Sequence, residues 1–178
     1  GWDVVALIPS CALMLKFEWP LILPDDAEVK ALAAATYDLS EFVVDLAKTK
    51  GLAEGLQPLE GGVSLHLACH ARAQNMGPKA ADMLRLIPKA DVAVVERCSG
   101  HGGAWGVLKP NFEVALKVGK PVARQVAKAA KAHIASECPL AASHIVQGIE
   151  LMAEAGTKVP PPSHPIELLA KAYGLVER

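Results

Sequence analysis

Four short β-type runs in this chain each run out at a cysteine. Val4-Val5-Ala6-Leu7-Ile8 leads to Cys11, Val63-Ser64-Leu65-His66-Leu67 to Cys69, Val92-Ala93-Val94-Val95 to Cys98, and Ala132-His133-Ile134-Ala135 to Cys138. Around each cysteine the apolar spacing changes from strand-like to helical. Strands alternating with helices of this length predict an α/β fold, a mainly parallel sheet with helices on both faces. Ligands bind such sheets beyond the carboxyl ends of the strands, and all four cysteines are expected there.

The composition agrees with this frame. Of 178 residues, 52% are hydrophobic but only 4% aromatic, so the core must be built from Ala, Val, Leu and Ile. The formal net charge of -1 gives no reason to expect nucleic acid as a partner. The most apolar stretch, Cys11 to Leu23, is interrupted by Lys16, Glu18 and Pro20 and is too short to span a bilayer. Peripheral membrane association remains compatible with such a chain. Four widely separated cysteines do not make a secreted disulfide framework, so a reducing, cytoplasmic setting is expected. The chain opens on Gly1 with a strand almost at once, which predicts a piece of a longer protein.

Taken in order, residues 3–9 read as a strand stopped by Pro9, with Ser10 as the N-cap of a helix that ends before Pro20. Helices are expected after Pro24-Asp25-Asp26 and from Ser40 to Lys50, with Gly51 as the stop and a loop from Glu54 to Gly62. The strand from Val63 to Ala68 delivers Cys69-His70, and a helix follows Gly77-Pro78. Val92–Val95 runs into Glu96-Arg97-Cys98-Ser99-Gly100-His101-Gly102-Gly103, a glycine-rich turn. A long helix from Asn111 to Ala132 should kink or divide at Gly119 and Pro121. Ile134–Ser136 is a short strand, Cys138-Pro139 opens a helix with Ile145, Ile149 and Met152 inward, and Val159-Pro160-Pro161-Pro162 reads as a stiff linker. A last helix covers Pro165 to Tyr173, its apolar side formed by Ile166, Leu169 and Ala170.

Thiolates brought together from distant parts of a chain can hold an iron–sulfur cluster or zinc. Cys11 and Cys138 stand at predicted helix N-termini, where the dipole favours a thiolate, and Arg72 and Arg97 are close enough to offset cluster charge. The plain alternative is that each cysteine is a small core residue. His101, three residues beyond Cys98, is the best further ligand. His70 and His144 are expected to stand behind the ligands, while His66, His133 and His164 look structural. Lys117, Lys120, Arg124, Lys128 and Lys131 form a basic stripe if their helix is continuous. Such a stripe is either a solvated face or a docking face for an acidic redox partner.

Cys69-His70, Cys98-Ser99-Gly100 and Cys138-Pro139-Leu140-Ala141 together resemble the cysteine-rich CCG motif, Cys…Cys-Cys-Gly…Cys-x-x-Cys. That motif occurs twice in one of the subunits of heterodisulfide reductase and in one of those of anaerobic glycerol-3-phosphate dehydrogenase. Pro9-Ser10-Cys11 through Pro20 resembles the end of a first repeat, and His164 to Ala170 the family's closing helix. The resemblance implies one CCG-type domain over residues 1–178, with 1–24 as the tail of a first repeat and 63–178 as the second. It further implies an electron-transfer component of an oxidoreductase, working with redox protein partners or ferredoxin-like modules. Ser99, Ala141 and Ile8 stand where the motif has cysteine, leaving Cys69, Cys98 and Cys138 in the second repeat. Three cysteines imply a cubane 4Fe-4S cluster with one different or open ligand rather than a non-cubane cluster. The alternatives are a zinc-stabilised interaction domain completed by His101, or a thiol–disulfide reductase using Cys98 and Cys138. Cys11 belongs to the other repeat yet would reach the same site by the strand-end argument.

Overall fold

A computed structural model describes residues 1–176. Six strands form two parallel sheets among nine α-helices, counted over the described residues. β1 (Val4–Ala6) pairs with β2 (Thr36–Asp38), Val4 opposite Thr36 and Ala6 opposite Asp38. The larger sheet contains β3 (Val63–His66), β4 (Val92–Val95), β5 (His133–Ser136) and β6 (Pro162–Ser163), in the order β4-β3-β5-β6. From β3 the chain goes first to β4 on one side, then crosses back to β5 on the other. The two connections therefore leave in opposite directions, which opens a crevice above the carboxyl ends of β3 and β5.

The N-terminal part shows how local chemistry overrides a simple strand-then-stop pattern. The strand is only three residues long, and α1 (Pro9–Leu13) begins at Pro9 rather than being capped by Ser10. Proline's fixed φ suits the first helical turn, and its missing N–H is not needed there, so it starts this helix. The helix does not end before Pro20 either. A π-helical stretch, Met14–Glu18, precedes α2 (Trp19–Ile22), which holds Pro20 in its first turn. The wider turn absorbs the hydrogen bond that proline cannot make.

Asp26 caps α3 (Ala27–Ala35) by accepting from the Glu28 and Val29 amides at 2.8 and 3.1 Å. Asp38, the last residue of β2, caps α4 (Leu39–Thr49) in a reciprocal box with Glu41. Then come α5 (Cys69–Ala73), α6 (Lys79–Leu84), α7 (Phe112–Ala129), α8 (Pro139–Glu150) and α9 (Pro165–Ala172). α7 carries Pro121 in its interior and is one helix from end to end. The expected division at Gly119 and Pro121 is thus absent, because packing of its apolar face outweighs one lost backbone bond. Met152, expected inward, is partly exposed one residue past the C-cap of α8, while Ile145 and Ile149 are buried. In α9 the buried side is Leu168, Leu169 and Ala172, a face shifted from the expected one.

Helices cover both faces of the larger sheet. Val63 and Leu65 of β3 and Ala135 of β5 pack with α4, α6 and α9. Val95 and Ile134 face the other way, onto α7 and α8. Alternation along the strands supplies both layers with short aliphatic side chains, as the low aromatic content requires. No described helix is long and apolar enough to cross a membrane.

Candidate functional site

Three cysteine-bearing turns meet above the sheet. Cys69 follows β3 by three residues and opens α5; Cys98 follows β4 by three; Cys138 follows β5 by two and is the N-cap of α8. A cavity of about 160 Å³ lies between them, lined by all three together with His66, His70, Ser99, His101, Gly102, Gly103 and Ala141. Cys69 and Cys98 are exposed and Cys138 is half-buried, and all four thiols of the chain are free. Cys11 is different. It is exposed on α1 and does not line this cavity. Its helix is tied to α5 through Gln74, whose amide donates to the Pro9 carbonyl at 3.3 Å and to Asp38 Oδ2 at 3.2 Å.

Backbone contact seats the glycine turn on α7. Gly100 has φ +88°, and a Cβ there would stand 2.2 Å from the Ala115 carbonyl oxygen and 2.7 Å from the Gly119 amide. Gly119 answers from the helix side, where a Cβ would stand 2.3 Å from the Ser99 carbonyl oxygen. Two glycines, one in a turn and one inside a helix, therefore allow the turn to lie directly against the helix backbone. The turn then points its polar groups into the cavity. The Gly100 amide donates to Cys98 Sγ at 3.4 Å. The Ser99 hydroxyl and His101 Nδ1 share a hydrogen bond of 2.7 Å, and His101 Nε2 faces Cys138 Sγ at 3.8 Å. With the hydroxyl donating to Nδ1, the ring proton sits on Nε2, toward the sulfur. Burial, with help from the charges of His144 and His70, holds His101 below the ordinary histidine pKa and keeps it neutral at pH 7.

His66 joins the turns from beneath. It is 1% exposed, its Nε2 donates to the Arg97 carbonyl at 2.8 Å, and its Nδ1 is 3.0 Å from Ser136 Oγ. Ser136 Oγ in turn accepts from the Cys138 amide at 3.3 Å. One imidazole therefore fixes the residue before Cys98 and, through one hydroxyl, the amide of Cys138. Burial lowers its pKa, consistent with a neutral ring that donates at one nitrogen and accepts at the other. His66→Phe leaves the Arg97 carbonyl and the Ser136 hydroxyl without this partner, and is expected to cost about 2 kcal/mol. Urea unfolding checks this; an unchanged midpoint would show that the ring only fills space.

Arg72 of α5 donates to Cys69 Sγ at 3.8 Å, so its charge does stand beside a thiol. His144 does not line the cavity. It is 4% exposed on α8, packs edge-on against Phe112, and among the described residues has no hydrogen-bond partner at either ring nitrogen. His164 is structural, capping α9 through Nδ1. Sequence reading passed over Ser99 as anything but a missing cysteine and gave His66 no part in placing the site. The signal available for Ser99 was its position two residues before His101, within reach of a local side-chain bond. Nothing local marks His66, whose partner Ser136 is distant in sequence.

No protein-family model matches the chain. Over 173 residues, 97% of its length, it is 26% identical to a component of the anaerobic glycerol-3-phosphate dehydrogenase of Escherichia coli, of which it covers 41%. It is 35% identical over 116 residues to the lactate utilization protein A of Geobacillus kaustophilus, aligning 58% of this chain with 45% of that protein. A similar protein A from Lysinibacillus sphaericus is 34% identical over 119 residues, 61% of this chain and 50% of the relative. The chain is a homologue of the CCG-type proteins. It spans half or less of the length of these relatives.

Proposed function

We propose that this chain is an iron–sulfur electron-transfer domain working as part of a larger redox complex. The observation that carries the reading is the cavity ringed by Cys69, Cys98 and Cys138, with the neutral imidazole of His101 beside it. Thiolates are the ligands that such clusters take. The relatives, one of them named as part of a dehydrogenase, support the redox setting. Among the described residues, no three His, Cys, Asp or Glu side chains converge on one point closely enough for a single ion. A polynuclear cluster takes its thiolates from around a cavity, as these three cysteines stand. Three thiols and one histidine match a cubane cluster with a differentiated fourth position. When bound, it would supply one-electron transfer at a solvent-accessible edge, beside the exposed Cys69 and Cys98.

The small sheet of β1 and β2 repeats, in miniature, the strand followed by a cysteine-bearing helix. This supports reading residues 1–24 as the tail of a first repeat and 63–178 as the second. One contact favours a second reading. In the other tautomer, with Nδ1–H donating to the Ser99 hydroxyl, His101 Nε2 is free to take the Cys138 thiol proton, the arrangement of a reactive cysteine in a metal-free thiol–disulfide reductase.

Iron, zinc and acid-labile sulfide measured on anaerobically prepared protein, with a visible spectrum, separate these. Iron with sulfide and a broad absorbance are expected, lost in Cys69→Ser, Cys98→Ser and Cys138→Ser and kept in Cys11→Ser. Metal-free protein in which Cys138 alone alkylates rapidly, and slows in His101→Ala, would overturn the cluster in favour of the thiol.

A further inference from the structure

α7 and α8 leave a groove of about 250 Å³ on the outside of the molecule, lined by Leu116, Lys117, Lys120, Gly148, Leu151 and Met152. Gly148 keeps its floor open and lets the helices come close: a Cβ there would stand 3.1 Å from that of Ala123. The apolar character extends past the groove. Leu151 is 68% exposed, and Val114 and Val118 are about half exposed on the outer face of α7.

The rim is basic. Lys117, Lys120, Arg124 and Lys128 are exposed and recur at spacings of three and four, so they run down one side of a continuous helix. Among the described residues none of the four takes part in an ion pair, whereas Lys131 is held by Asp91 and leaves the stripe. Glu113 on the same helix and Glu150 at the end of α8 pair with none of them. In a chain of net charge -1 such clustering is local rather than a reflection of overall balance.

We propose that this groove docks an amphipathic helix of an acidic protein partner, its apolar stripe on Leu116, Leu151 and Met152 and its carboxylates on the lysine and arginine rim. An apolar floor between two helices is what a third helix fills, and unpaired cations along one edge select for acidic residues beside that stripe. A bilayer surface would want a convex stripe bearing aromatic anchors, and this face presents none. A nucleic acid strand would want aromatic platforms for its bases, which are also missing from the groove. The inference is independent of what the cysteines bind.

The probe is a fluorescent synthetic helix of about twenty residues with leucines at helical spacing and glutamates elsewhere, titrated by anisotropy with the intact chain. A Leu/Lys helix, phosphatidylglycerol vesicles and a short DNA duplex serve as competitors. The acidic helix is expected to bind, with affinity falling at least about tenfold between about 50 and about 300 mM salt. Lys117→Glu/Lys120→Glu/Arg124→Glu is expected to weaken it at least about tenfold and to bind the Leu/Lys helix instead. Leu151→Ser is expected to weaken binding without changing its salt dependence. These side chains are exposed, so both variants should keep the parent's circular dichroism and urea midpoint. Absence of binding, equal binding by the charge-reversed variant, or binding confined to vesicles or duplex would overturn the proposal.

Discussion

Gly100→Ala is expected to destabilise the fold by about 3–5 kcal/mol and to remove the candidate site with it. Two penalties act at the same atom. The backbone at Gly100 has φ +88°, which an L side chain rarely adopts and which costs on the order of 1–2 kcal/mol. The new Cβ would also stand 2.2 Å from one backbone atom of α7 and 2.7 Å from another. Neither neighbour is a flexible side-chain end, so the turn must lift away from the helix. Lifting it moves Ser99 and His101 and breaks the hydrogen bond that the Gly100 amide donates to Cys98 Sγ. Gly119→Ala attacks the same contact from the helix without any φ penalty, because Ala prefers helical backbone. It is therefore expected to cost less than Gly100→Ala while disturbing the cavity similarly. Urea unfolding gives the ranking, and the nitrogen chemical shifts of His101 report the turn. A Gly100→Ala protein of parental stability would mean that turn and helix are not in backbone contact.

The contact between Gly100 and Gly119 also shows where sequence reading stops. A glycine-rich turn after Val92–Val95 was legible, as were the strands feeding Cys69 and Cys138, because short runs with aliphatic side chains at alternate or successive positions carry their own signal. Gly119 read instead as a break in a helix, since its reason for being glycine lies in another segment. The short strands were hidden for related reasons. β2, Thr-Tyr-Asp, has no apolar run and exists because β1 lies beside it. β6 includes Pro162 at the sheet edge, where a missing N–H is tolerated, so a proline cluster that read as a linker supplies a strand. In the site, chemistry-bearing side chains could be found by type and spacing. Those that hold them in place, His66 and Ser136 above all, become visible only through the register that pairs them across β3 and β5.

Glu137, beside Cys138, makes the stability of the fold depend on pH. It is 2% exposed, between the N-terminal end of α4 and the turns bearing Cys69 and Cys138. Its Oε1 accepts from Ser40 Oγ at 3.3 Å, while Oε2 has no partner among the described residues. Burial, reinforced by the nearby Asp38 carboxylate, pushes its pKa up from the ordinary 4.5 to about 7, against the hydrogen bond from Ser40. Asp38 is raised by burial as well. Between these values the folded chain holds a proton that the unfolded chain has released, so stability falls as pH rises. The full difference corresponds to about 3 kcal/mol, present below about pH 4.5 and lost by about pH 7 to 8. Urea unfolding at a series of pH values should show that decline. Glu137→Gln, which cannot ionise, should flatten most of the curve and be more stable than the parent at about pH 8. A slope of parental size in that variant would assign the decline to other groups and return Glu137 to an ordinary carboxylate.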